Sequence, residues 1–480
     1  MLLTDLNFLE EGNTWLPEDE DTRNRIAKYK RNYDLFENEH GNLESYKEAF
    51  NRIERVIGNF QNVISYATII NFHRLISKKT ADLLYGESPK IDAGDENRDT
   101  VENIEKNTEM FLKLYQNAID VSRYGDGILQ IYNNDNGNFE VISPKLWIPV
   151  VNPINHKEVV NHVLAWEYSV VDGRERKYML KVQIHYKGFY EERTYKLESS
   201  QQVAGKFLIG KLLEEDLIDT SLSDFAIIHT TNLITSDRMT GIDDYEDIDC
   251  IIREILVRIS QIARVLDKHA DPSVSGPSSA LVQDPASGEW SLVMGNYFRR
   301  DSADDPEPKY ITWDGQLEAS FKQIELLVNN LYVISEMSST LLGVEDKGNS
   351  NMSGRALKFK MISPLAKIKR LTMFLTPKIK KLYKLLSEYG GEAIKNLNDA
   401  DISIYWQDGL PNDQLEEAEI IEKRRNVGTM SIKTALKRFD NLTEESADDE
   451  IDEIQNEETQ MNPLAQAPFS GNNLKGDIDE

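Results

Sequence analysis

The sequence predicts an α+β fold that is mainly helical, on three observations. Apolar residues recur at helical spacing between residues 17 and 120, and again from 243 to 388. The interval 126–235 switches to strand rhythm punctuated by turn residues. The two kinds of segment come in blocks rather than in alternation, the pattern of antiparallel sheet set beside helices.

In the first helical block, Ile53, Val56, Ile57, Phe60, Ile64 and Ala67 share one face, and Gly86 and Pro89 end the run. A second helix, VENIEKNTEMFLKLYQNAIDVSRYG, stops near Gly125. In the strand block, GILQIY and FEVIS flank NNDNGN, where Asn136-Gly137 signals a hairpin. LWIPVV, VVNHVLAWEYSVV, RKYMLKVQIHY and DFAIIHT supply further strands.

Residues 243–270 carry Ile248, Ile251, Ile252, Ile255, Ile259, Ile262, Ala263 and Leu266 on one stripe. Asp243 with Glu246 fits a capping box, and the acids up to Asp249 suit a helix N-terminus. A matching helix over 315–342 aligns Leu317, Phe321, Ile324, Val328, Leu331, Ile334, Ser338 and Leu342. Each would be roughly 40 Å long at about 1.5 Å per residue. Between them, ALVQD–PASG–EWSLV reads as a hairpin turning at Pro285 to Gly288. Two long helices with a β tip form a projection too lean to bury much surface alone, so packing on other copies is expected.

A loop, VEDKGNSNMS, leads to a third long helix over about 354–388, which Pro364 and Pro377 should kink or interrupt. Residues 353–387 hold ten basic side chains and no acidic one. Most of these lysines are expected to face solvent or neighbouring acidic surface rather than DNA. DISIYW reads as a short strand, and LEEAEIIEKRRNVG, SIKTALKRF and TEESADDEIDEIQNEE as short helices before a tail of disordered composition.

The 480 residues suggest about three folding units. Lys+Arg 55 against Asp+Glu 82 leaves a net charge of −27, which argues against bulk attraction to DNA or acidic membranes. One cysteine, Cys250, excludes an intrachain disulfide and suits a reducing compartment. No transmembrane helix is expected, and the acidic start does not read as a signal peptide.

Enzymatic signatures fail one by one. GKFLIGKL (205–212) has phosphate-loop spacing, but Leu212 stands where a magnesium-binding hydroxyl belongs. Asn134, Asn136 and Gly137 echo a calcium loop, yet Tyr132 and Ser143 occupy its first and last ligand positions. The seven histidines form no HExxH, and a single cysteine cannot build a zinc site. Asp243, Asp244, Glu246, Asp247 and Asp249 resemble a nuclease cluster, but helix-start electrostatics explain them more simply. No enzyme, metal or cofactor is expected.

The ordered set of segments resembles the portal proteins of tailed bacteriophages, in particular long-tailed phages of Gram-positive hosts. NRIERVIGNFQNVISYATIINFHRLISKKTADLLYGESPKI resembles the family's N-terminal helix, and YGDGILQIYNNDNGNFEVISPKLWIPVVNP its wing strands. GIDDYEDIDCIIREILVRISQIARVLDKHA resembles the first stem helix, and NSNMSGRALKFKMISPLAKIKR the run after the channel loop. QDGLPNDQLEEAEIIEKRRNVGTMSIKTALKR resembles the approach to the crown.

The resemblance implies a portal fold with β-rich wing and clip, long stem helices, a kinked long helix and a helical crown. The wing would span 1–240, the stem helices 241–270 and 314–343, the clip 271–313, and the tunnel loop 344–353. Residues 354–410 would be the kinked basic helix and a wing strand, and 411–480 the crown. It implies a homo-oligomer, a dodecamer, at the capsid vertex of the virion. Its partners would be the terminase large subunit, a head–tail adaptor, and major capsid and scaffolding proteins. Double-stranded DNA would pass through without sequence readout. Lys347, Asn349 and Asn351, then Arg355 and Lys358, are the candidate DNA contacts. For the loop that carries the first three, a plain flexible connection between two helices is an equal reading. Asp284, Glu289 and Trp290 are candidates for docking the motor or adaptor, with local packing favoured for Trp290. Ile255, Ile259, Ile262, Phe321, Ile324 and Leu331 are the candidate subunit interface. The rival readings are a helical scaffold or adaptor without a channel, and a metal-dependent nuclease or motor subunit.

Overall fold

The computed structural model describes residues 2–38, 68–134, 137–199, 207–270, 317–342, 359–389, 396–399, 401–407, 414–439 and 444–461, with short pieces between 274 and 310. The chain divides into two compact units, residues 1–409 and 410–480. The residues from Ile53 to Ala67 that predict a helix lie outside the described residues.

In the first unit, helix α1 (Glu20–Glu37) is capped by Asp19, whose carboxylate accepts the Thr22 N–H at 2.8 Å. Helix α2 (Phe72–Tyr85) is capped in the same way by Asn71, on the Arg74 N–H. The single helix predicted after it is two helices, α3 (Arg98–Thr108) and α4 (Met110–Tyr124). Glu109 between them has φ +51°, and the Thr108 hydroxyl donates back to the Ile104 carbonyl at 2.7 Å, a bond that competes with the helix ladder. Gly125 then ends α4 at φ +84°. A Cβ there would meet the Gly241 carbonyl oxygen at 2.4 Å, so only glycine lets the two backbones touch.

Strand β1 (Lys90–Asp92) precedes α3. The strand block contains β2 (Asp126–Tyr132), β3 (Asn138–Ile142), β4 (Trp147–Val151), β5 (Val159–Asp172), β6 (Glu175–His185), β7 (Phe189–Ser199), β8 (Phe207–Asp219) and β9 (Ile227–Thr231). They form two antiparallel sheets, a three-stranded β3-β2-β9 and a five-stranded meander β4-β5-β6-β7-β8. The predicted hairpin is β2–β3, with Gly137 at φ +74°. The sequence reading missed β7, because Glu191, Glu192, Arg193 and Lys196 hide its alternation. In the sheet two of those charges pair across strands, Glu192 with Lys181 and Arg193 with Glu215, while Glu191 and Lys196 pair along β7 with Arg193 and Glu198. The phosphate-loop echo falls partly on β8, a plain edge strand in the described residues. Ile148, Val163, Leu180, Val182 and Ile184 bury one face of the meander, with Phe8 and Leu9 from the N-terminal segment packed on it.

Helix α5 (Asp249–Ala270) and helix α6 (Leu317–Ile334) form the projection. Between them the described pieces are β10 (Val274–Ser275), β11 (Leu281–Gln283), β12 (Trp290–Leu292) and β13 (Lys309–Tyr310). β11 pairs with β12 in the predicted hairpin register, Gln283 opposite Trp290, and β10 pairs with β13. Helix α5 starts at Asp249, not at the predicted capping box. The Asp243 carboxylate instead accepts the Tyr245 N–H at 2.9 Å in a local turn. Helix α6 stops at Ile334, eight residues before the predicted end. Glu336 adopts φ +57°, the Met337 N–H reaches the Tyr332 carbonyl at 3.0 Å and the Glu336 N–H the Val333 carbonyl at 3.3 Å. This is a Schellman stop with a glutamate in the place glycine usually takes, and Arg370 holds that glutamate by its carboxylate.

Helix α7 (Ile362–Glu388) runs through Pro377 without interruption. Pro364 lies in its first turn, where no helical N–H is owed. At Pro377 the missing donor falls on the turn of Met373, which is exposed, so water can serve the carbonyl. Strand β14 (Ser403–Tyr405) returns to pair with β1. The second unit holds α8 (Gln414–Asn426), α9 (Ile432–Phe439) and α10 (Glu444–Met461), as predicted, with Gly428 at φ +74° ending the turn after α8.

The acidic run before α5 is the ionic anchor of the projection. Asp244 is bridged to Lys367 of α7 at 3.0 Å and accepts from Ser122 of α4 at 2.6 Å and from Asn232 at 2.9 Å. Asp243 meets Lys28 of α1 at 2.7 Å. Its burial pushes its carboxyl up against the pull of Lys28. Asp249 faces Arg31, Arg253 and His73. Its burial would raise its pKa, but the hydrogen bonds from His73 and Arg253 and the Arg31 charge hold it at about 2. His73 is buried beside Tyr245, and that burial lowers its own pKa. Around these ions Leu35, Ile76, Tyr245, Ile248, Ile252, Ile255, Leu256, Leu331 and Met337 form one apolar cluster.

Lys367→Met leaves Asp244 buried and unpaired. It should lower stability by about 3–5 kcal/mol in urea unfolding, and adding Asp244→Asn should restore part of that loss. A loss below about 1 kcal/mol, the range of surface pairs, would deny the pair its anchoring role. Because the Asp249 carboxyl is held below its unfolded value of about 4, its contribution is full above that pH and is lost as pH falls toward 2. Asp249→Asn should therefore flatten the acid limb of stability between about pH 4 and 2, read from denaturant midpoints across that range.

Candidate functional site

The two helices of the projection meet through a stripe that is partly buried inside one chain. Ile255 and Leu331 are 0 % and 1 % exposed, and Ile262 is buried. Ile259 packs half-buried against the same cluster, and Ile324 is half-buried on α6. Of the six predicted interface residues only Phe321 is exposed, at 54 %. The predicted stripe therefore contributes to holding α5 to α6 within one chain through Ile255, Ile259 and Leu331.

Helix α6 carries a second apolar line. Leu326 and Val333 are 60 % and 74 % exposed. They stand seven residues apart, two turns along one face, on the side of the helix away from Leu331. Ile334 on α6 and Leu266 on α5 are exposed as well. Phe359, and Ile362 at the start of α7, add exposed apolar surface after the loop. Polar positions of this outer side include a Lys322–Glu318 pair one turn apart, Glu325, and the amides Asn329 and Asn330. An amphipathic helix with apolar residues on two opposite sides has one side left for a partner. The signal was legible: in LLVNNLYVI, Leu326 and Val333 fall off the inner stripe yet remain apolar.

Three basic residues of helix α7 are bound by carboxylates of the same chain. Lys367 is bound to Asp244, Arg370 to Glu336 and Lys381 to Asp224. This agrees with the expectation that these side chains meet acidic surface. The candidate DNA contacts Lys347, Asn349, Asn351, Arg355 and Lys358 lie outside the described residues. So do Asp284 and Glu289, and Trp290 is placed only by its backbone, at the start of β12.

Among the described residues no group of three or more acidic, histidine or cysteine side chains could hold a metal ion. The acids from Asp243 to Asp249 face cations and backbone donors instead. Among the described residues no helix is long and apolar enough to cross a membrane.

The chain is similar to chains in solved gene transfer agent (GTA) particles. One is the neck of an empty particle treated with C6 symmetry, at 13% identity and TM-score 0.43, covering 76% of this chain and 87% of that one. Another is the neck of a native particle with C12 symmetry, at 12% identity and TM-score 0.43, covering 76% and 86%. A third is the virion of a native particle, at 12% identity and TM-score 0.41, covering 77% and 88%. A search of the curated proteins finds no match. A family profile described as phage portal protein, SPP1 Gp6-like, matches residues 17–464. That match takes in both helices of the projection, the sheets and the basic helix, so the chain belongs to the SPP1 Gp6-like family of phage portal proteins.

Proposed function

We propose that about twelve copies of this portal protein close into a ring whose central channel passes double-stranded DNA during packaging and ejection. As a portal protein the chain is a structural component of the virion at the capsid vertex, not an enzyme. The observation that carries the ring is the outer line of α6, Leu326 and Val333, exposed on a helix whose opposite side is already buried. A second copy offers the apolar surface that such a line lacks within one chain.

In this reading α5 and α6 are the stem, and the β tip between them is the clip that docks the terminase large subunit and later the head–tail adaptor. The remainder of the first unit is the wing, toward the major capsid and scaffolding proteins, and the second unit is the crown. The charge of −27 per chain suits a channel that must not grip its cargo. A ring of about twelve would carry on the order of −300, and a polyanion surrounded by that field stays centred and slides. Lys347 with Asn349 and Asn351, then Arg355 and Lys358, would supply a few weak, salt-sensitive phosphate contacts.

Leu326→Asp with Val333→Asp should leave the secondary structure unchanged by circular dichroism and abolish the rings that wild-type protein shows in negative stain. Normal rings from this variant would remove the outer line from the interface. Wild-type protein that sediments only as an elongated monomer would favour the scaffold reading. Ile255→Asp, by contrast, strikes the inner core of one chain and should cost at least about 4 kcal/mol of stability in denaturant unfolding. Deleting 345–352 should spare ring assembly and impair DNA packaging or retention in particles. Unchanged DNA filling would take the loop out of the DNA path.

A further inference from the structure

A cavity of about 670 Å³ lies in the first unit between α7, the ends of β5 and β6, and the segment that enters β9. Its size is that of a small-molecule pocket, far too small to admit a duplex. In a chain of charge −27 its lining runs the other way. Lys157, Lys187, Arg238, Lys378 and Lys381 face it, against two carboxylates, Glu158 and Asp224.

The lysines crowd one carboxylate. Asp224 is bound to Lys381 at 2.6 Å and accepts the Phe225 N–H at 2.8 Å. Its burial would raise its pKa, yet it lies below its usual value, because these bonds and the charges of Lys381 and Lys187 outweigh burial. Lys378, one turn from Lys381, is half-buried. Its ammonium is destabilised by burial and by Lys381, with Asp224 the compensating charge. One carboxylate thus serves three lysines, and positive charge is left over in a partly dry site, where an anion gains most.

The other polar wall also donates. His162 is buried, and its Nδ1 accepts the Trp147 indole N–H at 3.0 Å. The neutral ring therefore carries its proton on Nε2. Burial first, and then the charges of His229, His185 and the two lysines, keep it neutral. Apolar walls complete the pocket: Phe225, edge-on to His162 at 5.0 Å between ring centroids, and Phe374 with Met373 on α7.

We propose that this cavity is a binding site for a phosphorylated small molecule of the mononucleotide class, its phosphates on Lys378, Lys187 and Lys381 and its flat apolar part against Phe225 and Phe374. No step of the portal reading requires such a site, so the two stand or fall separately.

The test is titration calorimetry on the full-length chain at low salt, with tripolyphosphate, dTTP and thymidine as probes. One dTTP should bind per chain, tripolyphosphate more weakly, and thymidine not at all. Lys378→Gln and Lys187→Gln should each weaken dTTP at least tenfold, while Lys369→Gln, an exposed lysine of the same helix outside the cavity, should not. Each variant should keep the unliganded thermal midpoint of wild type; if one does not, the other carries the test. The proposal is overturned by absence of saturable dTTP binding at millimolar concentration, or by equal affinity in the two cavity variants and wild type. Equal competition by duplex DNA per phosphate would also overturn it, since the site would then be general basic surface.

Discussion

The bridge between Asp244 and Lys367 ties together what would otherwise be separate layers. It joins the segment entering α5 to the long basic helix, and Ser122 and Asn232 bring α4 and the chain after β9 to the same carboxylate. Two further acids repeat the device within five residues, Asp243 on Lys28 and Asp249 on Arg31 and Arg253. Buried ion pairs of this kind add little net stability over an apolar core, but they cannot be mispaired without a large loss. They therefore specify where the helical projection leaves the rest of the first unit. That is a reasonable demand on a projection whose direction every copy in a ring must share.

The helical projection is built in two tiers. Its inner stripe, from Ile252 and Ile255 across to Leu331, is consumed in holding two helices of one chain together. Its outer line, Leu326 and Val333, is left to solvent. An isolated helix pair is thus less lean than it looks from the sequence, and in the proposed ring the neighbour would cover the second side rather than the first. The distinction separates residues whose loss unfolds the chain from residues whose loss disperses an assembly.

Charge is distributed by the same logic. The ten basic residues of 353–387 read as a cationic band along the sequence, yet in space Lys367, Arg370 and Lys381 each meet a carboxylate. Lys378 is different, sharing Asp224 with two other lysines at the wall of a cavity. Local surplus, not total count, is what an anion senses at short range.

Helical period, strand alternation, the β2–β3 and β11–β12 hairpins, and the order of blocks were all legible along the chain. Each rests on residues within a turn or a strand of one another. The ordered resemblance to portal proteins was legible for the same reason, since it needs only segments in sequence. Other features were not. The stop of α6 at a left-handed Glu336 depends on Arg370, thirty-four residues away. The delayed start of α5 depends on Lys28 and Lys367 drawing Asp243 and Asp244 into the body. Strand β7 is a strand because its charges find partners on β6 and β8. In each case the deciding energy is a contact between distant residues, and a local pattern carries no record of which distant group will arrive.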